Sequence, residues 1–440
     1  MSEPSRSRYH GCRVPAEPQA TFGGVWGATG QLRNGWRTYV DIGNARAITS
    51  QESELKFRLT ADDVANIRAR SILTPLSWRK EVLQSTYFDT SDHLLHKAGV
   101  SLRLRKSAHR IVQTLKYESP AFASLFLRRE YEIRVPRPIL DLDHVRRHCP
   151  ARLAKHIDDK LKAVFCVDVE RTNWTLHWNG SDIIASLDEG IIQAGGKRQP
   201  IRELEIELRH GAIADAFDLA RALAKVACLE IATTSKAERG YRLRRGGTST
   251  FWKPPAITLD ADVAFEDAVR TNALHCISYF AANEALFSER HSAEGVHQMR
   301  VALRRLLSLM SLCKKWLPKM RKGKSRAEIK RAFRRLGEAR DLDVAIEALN
   351  KSKQSDTGAI LNGLCRDRKA AYRKVVELLC SRRFWARMIA LLETIICGRN
   401  TNKQASACRR CEAPHSYYCV RHFDKTMEEA ERIRPSIALE

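Results

Sequence analysis

The sequence predicts an α+β chain. Its N-terminal part is an eight-stranded antiparallel β tunnel barrel with flanking helices, and an all-α helical domain follows. Three observations lead there. From residue 50 to about 210, charged and apolar residues alternate in short runs bounded by turn residues, the period of half-buried strands. From about 260 to 395 the apolar period is helical. Between them, 248–258 ("TSTFWKPPAIT") is aperiodic and Pro-containing, which marks a linker.

The elements follow in order. Residues 1–48 are rich in Gly, Ser, Pro and Arg without a sustained period, and are predicted to be a mostly disordered leader. Strands are expected at 51–59, 81–88, 99–106, 110–118, 126–135, 163–178, 182–188 and 200–209, with a helix at about 60–74. Their mostly short connections suit an antiparallel sheet closed on itself. A helix at 212–230 and the segment "TTSKAERGYRLRRGG" complete a unit spanning 49–247. The linker predicts that this unit folds without residues 257–440. The helical domain spans 259–395, and 396–440 form a divergent tail.

The strands carry a common chemical pattern. In "QESELKFRLT", Glu52, Glu54, Lys56 and Arg58 occupy one face, and Ser53, Leu55, Phe57 and Leu59 the other. Arg103 and Arg105 share a face, as do Thr114 and Lys116, Ser186 and Asp188, and Glu203, Glu205 and Glu207. Arg128, Glu130, Glu132 and Arg134 alternate with apolar residues in the same way. Charged faces turned to water would enclose an apolar core. Turned inward, they would set carboxylates for divalent cations opposite basic residues for a polyanion, and the apolar outside would need a cover. Periodicity leaves both arrangements open.

A formal net charge of +25 and a pI near 9.8 call for a polyanionic partner. Nucleic acid is not favoured, because aromatic residues are only 7% of the chain and no base-stacking platform is evident. The most apolar late stretch, "FWARMIALLETIIC", contains Arg387 and Glu393 and reads as an amphipathic helix, so no membrane span is expected. No secretory signal is evident, and the 12 scattered cysteines fit reduced thiols in a cytoplasmic compartment. No GxxxxGK[ST] loop is present, which disfavours a P-loop mechanism.

The order of motifs resembles the CYTH superfamily of triphosphate tunnel metalloenzymes. The matching pieces are Glu52-x-Glu54-x-Lys56, "YFDT" (87–90), "LRLR" (102–105), "QTLK" (113–116), "DVERTNW" (168–174), "SLDEG" (186–190), "ELEIELRHG" (203–211) and "SKAERGY" (235–241). The resemblance implies hydrolysis of inorganic triphosphate or a small organic triphosphate with Mg²⁺ or Mn²⁺. It implies metal ligands among Glu52, Glu54, Asp188, Glu203, Glu205 and Glu207, with Asp188 holding metal or orienting water. It implies phosphate contacts from Lys56, Arg58, Arg103, Arg105, Lys116, Arg128, Arg171 and Lys236, and catalytic roles for Lys56, Asp188 and Lys236. Such chemistry is physically coherent: water attacks a triphosphate only when most of its charge is neutralised, and hard cations favour carboxylate oxygen. The alternatives are a class IV type adenylate cyclase or thiamine triphosphatase, which share the tunnel, and a polyphosphate-binding protein with an idle tunnel.

"VHQMRVALRRL" followed by "LGEARDLDV" resembles the CHAD domain, a helical module rich in His and basic residues. That resemblance implies binding of inorganic polyphosphate along a basic groove, by His297, Arg300, Arg304, Arg305, Lys330, Arg334 and Arg340. It also raises association with polyphosphate granules. The family is a two-fold repeat, and no second His-x-x-Arg helix is recognisable after residue 395. The tail instead holds Cys408, Cys411, His415 and Cys419, a spacing compatible with zinc but also with incidental thiols.

Overall fold

The computed structural model describes residues 52–117, 125–128, 130–154, 157, 161–246, 251–253, 257, 263, 265–312, 323–351 and 358–397. For 52, 125–128 and 152 it describes the backbone only. The leader and the Cys408–Cys419 motif lie outside the described residues.

The alternating segments become strands β1 (Glu52–Arg58), β2 (Arg79–Asp89), β3 (Val100–Lys106), β4 (Ile111–Tyr117), β5 (Leu125–Arg128), β6 (Glu130–Val135), β7 (Lys162–Trp178), β8 (Ser181–Ala194), β9 (Lys197–His210) and β10 (Glu230–Ile231). They form one 10-stranded sheet in the order β10-β1-β9-β8-β7-β2-β3-β4-β6, antiparallel at every pairing described. The expected seamless eight-stranded barrel is corrected here, because this hydrogen-bonded path is open. Its margins still approach each other through neighbouring stretches of chain: β5 pairs with β1, and β6, one residue further on, pairs with β4. Register along β7–β8 is set by a two-residue turn between Trp178 and Ser181. Asn179 and Gly180 adopt φ of 50° and 86° there, the left-handed pair that an Asn-Gly hairpin supplies.

Small helices close the ends. α1 (Ala61–Arg70) begins at a capping box in which Thr60 and Asp63 bond each other reciprocally. It stops at Ser71, short of the expected residue 74. α2 (Leu94–Lys97), α3 (Leu142–His148) and α4 (Ala151–Ala154) sit between strands, and α5 (Ile213–Leu223) and α6 (Lys236–Arg245) follow β9. The C-terminal part contains α7 (Phe265–Arg290), α8 (Ala293–Leu312), α9 (Lys324–Lys351), α10 (Gly358–Leu379) and α11 (Arg382–Cys397).

Burial decides between the two arrangements left open by periodicity. Leu55 and Phe57 of β1, Leu204 and Ile206 of β9, and Ile183 and Ala185 of β8 are all fully buried in one apolar cluster outside the sheet. Each of the larger side chains contributes about 1.5–3 kcal/mol by leaving water. The cluster continues through Val64 and Ile67 of α1 and Phe217 of α5 into Phe280, Leu303, Leu336, Trp385 and Leu392 of the helical domain. The apolar face is therefore the outer one, and the helical domain is part of its cover. Both parts of the chain contribute residues to this one cluster.

Polar contacts reinforce the junction. Arg221 of α5 pairs with Glu393 of α11 at 2.7 Å, and Arg58 of β1 pairs with Glu284 of α7. Trp252, in the expected linker, donates its N–H to Asn283 Oδ1 at 2.9 Å, and Asn283 Nδ2 donates back to the Trp252 carbonyl at 2.9 Å. This part of the linker is fastened to α7.

Candidate active site

Because the apolar face turns outward, the charged faces converge. They line a cavity of about 1040 Å³ that includes Glu54, Lys56, Arg103, Arg105, Lys116, Arg171, Glu205, Glu207 and Lys236. Strand register explains the company each keeps. Across β1–β9, Glu54 lies opposite Glu207, Lys56 opposite Glu205 and Arg58 opposite Glu203. Asp188 of β8 lies between Glu203 of β9 and Arg171 of β7.

The acidic wall is knitted together by cations. Lys56 Nζ lies 3.1 Å from Glu54 and 2.9 Å from Glu205. Arg171 donates two hydrogen bonds to Asp188, at 2.6 and 2.7 Å, and one to Glu205 at 2.5 Å. Lys236 arrives from the first turn of α6, where Ser235 caps the helix by accepting from the Glu238 N–H. Its ammonium contacts Asp188 at 2.8 Å, Glu203 at 2.7 Å and Glu205 at 2.8 Å. α6 approaches this closely because residue 240 is glycine: a Cβ there would meet the Phe165 ring at 2.2 Å. Asp89 and Tyr241, from two of the sequence motifs, share a hydrogen bond of 2.8 Å that ties α6 to the end of β2.

Burial pushes the Glu205 carboxyl up, but Lys236, Lys56 and Arg171 outweigh it and hold the group well below the usual carboxylate range. Asp188 and Glu203 are lowered in the same way, against burial: Asp188 by Arg171 and Lys236, and Glu203 by Lys236 and Arg239. Burial disfavours the Lys236 charge, yet the three carboxylates raise its pKa overall.

The basic wall is different. Arg103 is buried, feels Tyr87, Glu130 and Glu132, and has its Nε without a hydrogen-bond partner. Lys116 pairs with Glu130. Arg105 donates to Ser85 Oγ at 3.2 Å and forms no ion pair among the described residues. Burial, followed by repulsion from Arg103 and Arg171, pushes the Arg105 guanidinium down to about 10. A guanidinium does not give up its proton in a protein, so the site holds a cation repelled by two others and only partly offset by Tyr87 and Asp188.

Some expected site residues are placed elsewhere. Arg58 does not line the cavity and is taken by Glu230 and Glu284. Asp188 and Glu203 lie behind Arg171, Lys236 and Arg239 and also do not line it. The side chains of Glu52 and Arg128 are outside the described set; their backbones pair across β1–β5. Arg239, which donates to Glu203 at 2.5 Å, was not anticipated. Its signal is position: it follows Lys236 by three residues and so shares a helix face with it.

For metal, the hard oxygen donors Glu54, Glu205 and Glu207 lie on the cavity wall, and Glu52 is two residues before Glu54 on β1. This donor chemistry fits Mg²⁺ or Mn²⁺. Among the described residues no group of three or more His, Cys, Asp or Glu side chains is disposed as a ready metal site. Lysine and arginine occupy their oxygens instead.

In the helical domain, His297, Arg300, Arg304 and Arg340 come together. Burial lowers the His297 pKa first, and Arg340, Arg304 and Lys253 lower it further. Arg300 lies over the Phe333 ring at 4.4 Å. Arg305 faces His275 and Cys276 of α7 instead. Lys330 and Arg334 are exposed on α9.

A sheet with an inward charged face, cations set against carboxylates, and helices as its outer wall forms a tunnel-like cavity. Residues 50–241 match the family model of the CYTH domain and residues 272–436 that of the CHAD domain. The chain thus carries a CYTH match followed by a CHAD match. It is 30% identical over 213 residues to a Haemophilus influenzae protein named inorganic triphosphatase, covering 47% of this chain and 58% of that one. Two solved structures are similar at lower identity. One, from Hippeastrum, is an adenylyl cyclase candidate described as having a dominant triphosphatase activity: 17% identity, 44% of this chain, 96% of that one, TM-score 0.34. The other is the CHAD domain from the plant Ricinus communis: 23% identity, 43% of this chain, 64% of that one, TM-score 0.34. No described helix is long and apolar enough to cross a membrane.

Proposed function

We propose that this protein hydrolyses inorganic triphosphate, or a small organic triphosphate, inside the tunnel. The observation that carries the reading is Arg105: a half-buried guanidinium on the cavity wall that shares the lining with Arg103 and Arg171 and forms no ion pair among the described residues. Such a charge is costly in the empty protein and is relieved when a polyanion enters.

The roles divide by wall. Arg103, Arg105, Arg171 and Lys116, with Arg128 at the edge of the set, grip non-bridging oxygens by charge-assisted hydrogen bonds. Glu54, Glu205 and Glu207, with Glu52, would hold Mg²⁺ or Mn²⁺. When bound, that cation would neutralise phosphate charge and acidify water. Asp188 and Glu203 fix Lys236 and Arg171 in place, so they act through those cations and not as open ligands. Lys56 bridges Glu54 and Glu205 and is placed to turn toward phosphate once those carboxylates take a metal. In the helical domain, His297, Arg300, Arg304 and Arg340, with Lys330 and Arg334 along α9, form the surface for inorganic polyphosphate.

Phosphate release from tripolyphosphate, with Mg²⁺, with Mn²⁺ and with EDTA, tests this reading. Release that needs the divalent ion and is lost in Glu205→Gln supports it. Equal release in that variant would remove the tunnel from the reaction.

A further inference from the structure

Two thiols meet where the sheet joins the helical domain. Cys228, two residues before β10, is buried, and its Sγ lies 3.7 Å from the carbonyl oxygen of Cys380, in the turn between α10 and α11. A carbonyl oxygen sits about 2.4 Å from its own Cα, so that sulfur is within about 6 Å of the Cys380 Cα. The two backbones are held side by side. Arg382, two residues after Cys380, donates to the Lys225 carbonyl at 2.9 Å. The Cys228 N–H donates to Asp63 Oδ1 at 2.6 Å, and the Cys380 N–H to the Val376 carbonyl at 2.8 Å.

Both cysteines line a second cavity, of about 460 Å³, which gives their side chains room to turn. Among the described cysteines Cys380 alone is exposed, so an oxidant reaches it first. The segment that Cys228 opens leads to the tunnel wall: β10 pairs with β1, and the Ala232 N–H donates to the Lys56 carbonyl at 3.1 Å.

We propose that Cys228 and Cys380 form a disulfide when a small disulfide such as oxidised glutathione is supplied, clamping the sheet to the helical domain. Cys380 attacks the small disulfide, forming a mixed disulfide and releasing one small thiol. Cys228 then attacks the Cys380 sulfur, forming the protein disulfide and releasing the second small thiol. Two protein thiols are oxidised, one small disulfide is reduced to two thiols, and the two thiol protons leave with them. The thiolate is the attacking form. Burial, then Glu230 and Asp63, raises the Cys228 thiol, and burial, then Glu230 and Glu284, raises Cys380. Asp62 and Arg70 of α1 and Arg382 of α11 also line the cavity. Exchange is therefore slow at neutral pH and quickens in mild alkali.

The test incubates the reduced full chain with oxidised glutathione at pH 8.5 and maps its tryptic peptides without reduction. The proposal predicts that peptides 226–236 and 375–382 are joined, and that the link is lost in Cys380→Ser and after dithiothreitol. Because the bond closes a loop of 152 residues, the oxidised wild type should melt roughly 5 °C above the reduced, while Cys380→Ser gains nothing. Glutathione left on Cys380 with Cys228 still reduced, or links among other cysteines only, overturns the pair. A joined protein whose melting curve does not move overturns the clamp.

Discussion

Replacing Arg105 by methionine should make the protein more stable and the enzyme worse. In the empty tunnel this guanidinium is depressed from its ordinary value to about 10, by burial and then by Arg103 and Arg171. At roughly 1.4 kcal/mol per pKa unit, that shift corresponds to about 3 kcal/mol. Solvent in the cavity screens part of it, leaving an expected gain of about 1–2 kcal/mol for Arg105→Met, net of the lost bond to Ser85. The sign follows from linkage. A base whose folded pKa is depressed carries its penalty wherever it stays charged, and a guanidinium stays charged throughout the working pH range. Urea unfolding at pH 7 should show a higher midpoint for the variant. The same variant should lose about 10- to 100-fold in kcat/KM for tripolyphosphate, the worth of one or two charge-assisted bonds. A variant less stable than wild type at pH 7, or one with undiminished turnover, would refute the reasoning.

Glu54→Gln should abolish divalent-dependent phosphate release while shifting the melting temperature by only a few degrees, since it removes a wall charge and no core volume; retained turnover would exclude Glu54 as a metal ligand. Deleting residues 257–440 should lower the melting temperature sharply and produce aggregation, because it uncovers the surface of α5 against which α11 packs and strips Arg58 of Glu284. A monomeric fragment with an unchanged melting curve would mean that the shared core contributes nothing. Retention of the full chain on immobilised long-chain polyphosphate should be strongly salt-dependent. Since burial, and then neighbouring cations, hold His297 below its ordinary pKa, any strengthening on acidification should come below pH 6.5. A step above that pH would assign it to another group.

Much of this was written in the alternation of charged and apolar residues. Lys56, Arg103, Lys116, Arg171 and Glu205 share the cavity because a period of two sends each to the same side of its strand. The sense of that side was not legible, because inward and outward charge give identical periodicity. It was decided by the helices on that side, α5 against β1 and α11 against α5, which join Leu55 and Phe57 in one apolar cluster. Arg58 shows the same limit on a smaller scale: its parity matches Lys56, but Glu284, 226 residues later, claims its guanidinium. Asp188 and Glu203 match ligand motifs, and only the arrival of Lys236 and Arg239 from α6 shows that their oxygens are already engaged. Long-range pairing of this kind leaves no local trace.

The most direct measurement is a phosphorus-31 spectrum of tripolyphosphate incubated with the full chain and Mg²⁺ or Mn²⁺. A hydrolytic tunnel predicts that the tripolyphosphate resonances give way to pyrophosphate and orthophosphate in equal amounts, and that EDTA stops the change. Tripolyphosphate that binds, broadening or shifting its resonances, yet stays intact with either metal would contradict the account and leave the tunnel a binding site alone.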